Sequence, residues 1–259
     1  MSPPPFCLWP VAYRLSPIGP LPKASSFIPS FTMRHRHIAI LGWTLIWSGL
    51  FIFGYLGWQL FGTDVVNARV QAEAEVVFDQ KLEEIAGEPP EVEVVEEEGA
   101  SGIDFFVEEM PVEDEAFARL IVPSLDLEAI VFEGVGTETL AKGPGHMPGT
   151  PVPGQPGNAV ISGHRTTHGR PFYDFDLLGA GDRIEIETSI GNHVYEVRES
   201  FIVEPTDVWV TDDRSGAWLT LTTCHPRFSA RQRLIITAEL VEGPNWEYVQ
   251  FLDQLPDPA

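Results

Sequence analysis

Thr220-Leu221-Thr222-Thr223-Cys224-His225-Pro226 is the stretch on which the reading of this chain turns. Its apolar and hydroxyl side chains alternate with the two-residue period of a half-buried strand. His225-Pro226 stops that strand, because proline has no N–H to give to a ladder. The run therefore ends on Cys224, and the only other cysteine, Cys7, lies in the N-terminal tail. A thiol at a strand end can be offered to a substrate while the sheet behind it stays rigid. Cys224 is thus a candidate nucleophile, and a buried, inert cysteine is the alternative.

A free thiol is a poor nucleophile near neutral pH until a base or cation favours the thiolate. Two residues are candidates to supply that help. His164 follows the strand-like run Asn158–Ser162 and sits next to Gly163, whose missing side chain allows close approach. Arg233 opens the next run, 233–241. If that run pairs antiparallel with 218–223, Arg233 returns to the end of the sheet where Cys224 lies. A guanidinium there can hold a substrate carbonyl or an oxyanion. His146, His168, His193 and His225 are rivals to His164. On an extended backbone the His225 side chain points away from Cys224, and His193, in a hairpin strand, is expected to face solvent. Arg227 and Arg231 compete with Arg233. Cys224, His225, His164 and His168 are all possible zinc ligands, but they are read as lacking the Cys-x-x-Cys or His-x-x-x-His spacing of a tetrahedral site, so neither a metal nor a cofactor is expected.

The rest of the chain places this site. Residues 38–61 are uncharged and long enough to cross a hydrocarbon core about 30 Å thick. Arg34 and Arg36 precede the span and acidic residues follow it, so the N-terminus (1–37) is expected in the cytoplasm and the remainder outside. Met33 is the expected start, with 1–32 an over-extended reading frame. Segment 62–115 reads as a juxtamembrane helix, ended by Pro89 and Pro90, and an acidic spacer. From Glu83 to Glu115 there is no Lys or Arg. Ile103, Phe105 and Phe106 interrupt the spacer as a candidate lid. The net charge of −22 argues against nucleic-acid partners.

A folded domain is expected over 116–242, with a short tail at 243–259. Strands are read at 118–122, 128–133, 158–162, 183–187, 193–197, 200–203, 208–210, 218–223 and 233–241, with Thr137 capping one short helix and 143–157 irregular. Many short strands with turn-rich joins indicate an antiparallel all-β sandwich or barrel.

Ser162-Gly163-His164-Arg165, Thr220 to Cys224, and Arg233 nine residues on together resemble the sortase signature. Gly143-Pro144-Gly145-His146, Gly157-Asn158-Ala159-Val160 and the run from Cys224 to Arg233 resemble class E sortases of high-GC Gram-positive bacteria. The resemblance implies a closed eight-stranded β-barrel and a cysteine transpeptidase with Cys224, His164 and Arg233 as its catalytic trio. It also implies surface proteins carrying a C-terminal LAxTG- or LPxTG-like signal as substrates, with the amine of a peptidoglycan precursor as acceptor. A pilin-polymerising sortase using a lysine amine, simple hydrolysis, and a non-catalytic wall-binding domain are the alternatives.

Overall fold

A computed structural model describes residues 31–58, 62–86 and 103–254. The proline-rich start, the heart of the acidic spacer with Pro89 and Pro90, and the last five residues lie outside these. The chain divides into a unit ending at Ile52 and a second unit from Phe53 onward. The described residues of the first unit lie in helix α1 (Phe31–Gly57). Its stretch Arg36–Gly57 is long and apolar enough to cross a membrane.

The second unit is built on a closed eight-stranded barrel. Its strands are β1 (Ala116–Val122), β2 (Leu127–Glu133), β3 (Gly145–His146), β4 (Gly157–Ser162), β5 (Arg183–Thr188), β6 (Gly191–Val203), β7 (Ala217–His225) and β8 (Gln232–Glu242), in the order β1-β2-β3-β4-β7-β8-β6-β5. Closure leaves no unpaired edge. Alternation along each strand sends one set of side chains inward. Leu219 and Leu221 of β7, Ala159 and Ile161 of β4, and Leu234, Ile236 and Ala238 of β8 meet in the central core. Burying each of the larger ones is worth roughly 1.5–3 kcal/mol.

Several expectations change at this level. The runs 193–197 and 200–203 are one strand, β6, bent by register shifts against β8 at Val194/Tyr195 and Val197/Glu199. Such irregularities let a long strand curve around a barrel. Residues 208–211 form a 3-10 turn, not a strand, because Val210 turns in to join Val203 and Ile235 in a separate cluster. The irregular segment 143–157 contains β3, parallel to β2. Gly136, not Thr137, caps helix α3 (Thr137–Lys142). His193, expected in solvent, is fully buried. Gly154 and Gly243 cover its ring so closely that a Cβ on either would come within 2.1 and 3.1 Å of it. Burial pushes its pKa down to about 4.

Helix α2 (Thr63–Ile85) packs on the barrel. Ala74 and Phe78 bury against Ile130 and Phe132 of β2. Gln71 closes a pair of bonds with the Ile130 backbone, accepting from its N–H at 2.7 Å and donating to its carbonyl at 3.1 Å. Arg119 of β1 reaches Asp79 on the helix and Glu187 on β5. The segment around Phe106 docks at the end of the barrel where β4 and β7 begin. Phe106 N donates to Asn245 Oδ1 at 2.8 Å, Asn245 Nδ2 donates to Phe106 O at 2.9 Å, and Phe105 stacks on Tyr248 of α4 (Trp246–Leu252). That is the opposite end from Cys224, so this segment does not cover it as a lid.

Candidate active site

Strand register brings the three candidate residues toward one end of the sheet. β4 and β7 run parallel with Ser162 beside Thr222, and Gly163 N continues the ladder to Thr222 O at 3.1 Å. His164 lies two residues past Ser162 and Cys224 two residues past Thr222, so the parallel register carries both toward the same end of the sheet. On the other side of β7, Cys224 pairs directly with Arg233 of the antiparallel β8. Directly opposed residues project to the same face. Leu221 and Thr223 point inward, so Thr222 and Cys224 point outward by the same alternation.

The floor and wall around these residues are fixed by buried hydrogen bonds. Thr223 Oγ1 donates to Gly163 O at 2.7 Å and clamps the end of β7 to the turn carrying His164. On the outer face, Thr220 Oγ1 donates to Asn158 Oδ1 at 2.7 Å. The Asn158 amide in turn donates to Val210 O at 3.1 Å and Asp212 O at 2.9 Å, holding the 208–211 turn against β4.

Cys224 is half-buried and unpaired. The His164 imidazole is partly buried, its Nε2 has no hydrogen-bond partner among the described residues, and its ring stacks on His168 with centroids 4.9 Å apart. Burial first, and the neighbouring His168 second, hold its pKa below the ordinary histidine value, so the neutral ring is favoured near pH 7. Arg233 Nη1 donates to Ala230 O and Gln232 O, each at 3.1 Å, which tethers one end of the guanidinium.

The rivals are otherwise engaged. His146 is fully buried against Glu133, Nδ1 to Oε2 2.6 Å. His225 lies on the inner face, 3.0 Å from Arg165. Arg227 binds Asp174 and Asp176 and stacks over Tyr173, and Arg231 lies outside the paired strands, exposed. His164 and His168 do have His-x-x-x-His spacing, yet no group of three or more His, Cys, Asp or Glu gathers for a metal among the described residues.

Residues 120–241 match the Sortase family model. The barrel is a sortase domain. Among curated relatives, the chain is 33% identical to sortase SrtE1 of Streptomyces coelicolor over 144 residues, 49% of this chain and 41% of that one. It is 28% identical to sortase D of Bacillus subtilis over 183 residues, 70% of this chain and 86% of that one. The SrtF sortase of Corynebacterium diphtheriae is similar in structure, at 30% identity and a TM-score of 0.50, over 52% of this chain and 89% of that one. The chain thus spans about two-fifths of the length of its class E relative. Sortases as a family are cysteine transpeptidases.

One residue of this sortase domain escaped the reading of its sequence as a positioning element. Arg165, only 2% exposed, is its largest fully buried side chain. It donates to Cys224 O at 3.2 Å and to Tyr173 O at 3.4 Å, and pairs with Asp176 at 2.9 Å. It therefore ties the thiol-bearing strand end to the 173–176 loop. Burial raises the Asp176 carboxyl pKa, but Arg165 and Arg227 outweigh it and hold the group below the usual carboxylate range. Arg165→Met removes that tie from a buried site. Because Asp176 keeps Arg227 and some solvent, a loss near 2–3 kcal/mol is expected, the low end for broken buried pairs. In a unit of this size that lowers Tm by about 4–12 °C in thermal unfolding. An unchanged Tm would contradict it.

Proposed function

We propose that this chain is a membrane-anchored transpeptidase that cleaves a sorting signal between Thr and Gly and passes the acyl group to an amine of a cell-wall precursor. The observation that carries the reading is the direct pairing of Cys224 on β7 with Arg233 on β8, with His164 two residues past the end of the parallel β4. The resemblance of the motif segments to class E sortases implies an LAxTG-like signal, with LPxTG as the alternative. α1 supplies the anchor, and the basic residues Arg34 and Arg36 in its first turns, ahead of the apolar span, favour a catalytic domain on the outer face.

In this mechanism neutral His164 takes the proton from Cys224 Sγ as the sulfur attacks the Thr carbonyl. Arg233 stabilises the oxyanion that forms. As the Thr–Gly bond breaks, His164 returns that proton to the departing glycine nitrogen, leaving a thioester. The incoming amine then attacks the thioester, His164 accepts its proton, and the thiol is regenerated. Acid–base help of this kind is worth about 10²–10⁴ in rate.

Mass spectrometry of the protein mixed with LAxTG and LPxTG peptides tests the reading. An acyl adduct on Cys224, released as a new amide when an oligoglycine or diaminopimelate-type amine is added, is the expected result. Absence of an adduct with either peptide overturns it. The pH dependence follows from the sign of the His164 shift. A base must be neutral to act, so kcat/KM rises with pH through a pKa held below the ordinary 6.5. The acid limb should lie below that value in a peptide-cleavage profile, and an acid limb above it would contradict the neutral-base role.

A further inference from the structure

The turn after His164 follows a backbone course that few side chains tolerate. His168, Gly169 and Arg170 stand in succession at φ of 52°, 76° and 53°. A run in this region persists only where its surroundings hold it. Within the loop, Arg170 N donates to Thr167 O at 3.1 Å and Tyr173 N donates to Arg170 O at 3.0 Å. The anchor from outside the loop is α2. Asp64 Oδ1 accepts from Gly169 N at 3.0 Å, and Oδ2 lies 3.2 Å from Arg170 Nη2. Asn67, nearly one turn along, is buried under Gly169, where a Cβ would come within 2.1 Å of its Oδ1. Asn67 is itself fixed to the barrel unit, donating to Ala141 O at 3.0 Å and Lys142 O at 2.8 Å.

We propose that Asp64 and Asn67 are positioning residues for His164: α2 sets the left-handed turn, the turn places His168, and the stacked His168 ring holds the His164 imidazole. The helix next in sequence to the apolar span is thereby part of the active-site support and not only a spacer. The proposal rests on the acid–base role of His164. The titratable and charged groups around that residue are His168 and Arg170 in its own loop, Asp64 on α2, and, at the same end of the sheet, Cys224 on β7 and Arg233 on β8. Arg165 is engaged with Asp176 and the end of β7.

The test uses the full chain in detergent micelles. Asp64→Ala should lower kcat about tenfold, as small misplacements of a catalytic group do, with KM for the sorting peptide nearly unchanged. Loosening the turn admits water and parts the two rings, and each change raises the His164 pKa. Its imidazole titration, followed by NMR with labelled histidine in a Cys224→Ala background, should therefore move upward. Asp64→Asn keeps an acceptor for Gly169 N and should restore most of kcat. Gln71→Ala weakens the same helix through its bonds to Ile130 and Lys142, away from the turn. It should lower thermal stability and leave the His164 titration in place. The proposal is overturned if Asp64→Ala leaves kcat and the titration as in the wild type, or if Gln71→Ala moves the titration equally. If the wild type forms no acyl-enzyme, the transpeptidase reading fails, while the titration still reports on positioning.

Discussion

Cys224→Ala is expected to lower sorting-peptide cleavage by at least about 10⁴-fold, because removing the attacking atom of a unit that acts together removes nearly all of its rate. Stability should hardly change. Cys224 lies outside the clusters of buried apolar side chains and is half-buried on the outer face of β7, where substitutions are usually worth less than about 0.5 kcal/mol. The split between the two readouts is what matters. An inert structural cysteine would show the reverse, with cleavage intact and Tm reduced. Parallel measurement of peptide cleavage and thermal unfolding separates the two, and a Cys224→Ala protein that still cleaves would end the proposal.

Arg233→Ala should cost about 10²–10³ in kcat/KM, the usual loss when one preorganised oxyanion donor is removed. Its backbone is paired directly with that of Cys224. The bonds from Nη1 to Ala230 O and Gln232 O hold one edge of the fork, while Nε and Nη2 have no partner among the described residues. Arg233→Lys keeps the charge but not the planar fork, so it should recover only part of the loss. Arg231→Ala is the control, since this residue lies beyond the paired row, and it should change kcat/KM less than about twofold. Steady-state cleavage by the three variants decides the matter. Equal losses at 231 and 233 would remove Arg233 from its assigned role.

The strand ends that carry Cys224 and precede His164 were legible because they rest on period-two alternation and on the stops at Gly163 and Pro226, which are local signals. The pairing that aligns Cys224 with Arg233 needed only a hairpin-like return of the chain. What lay beyond the sequence was support from afar. Arg165 looks like a surface charge until Cys224 O, Tyr173 O and Asp176 surround it. The docking of α2 was masked because its contact stripe mixes Asn67 and Gln71 with Ala74 and Phe78, so apolar periodicity is muted, and the amides bond to barrel backbone instead. His193 was misplaced for a related reason. Alternation predicts which residues share a face, but not that Gly154 and Gly243 cover that face.

The parallel pairing of β4 with β7 also bears on how the enzyme becomes active at all. Gly163 and Thr223 are 60 residues apart in sequence and bonded in space, with β5 and β6 formed by the chain between them. Closing so long a loop is slow relative to forming the β5–β6 hairpin. The proposed site is therefore expected to assemble late, after local elements have formed, and regained formation of the proposed acyl adduct would report the arrival of the complete barrel more faithfully than regained strand content.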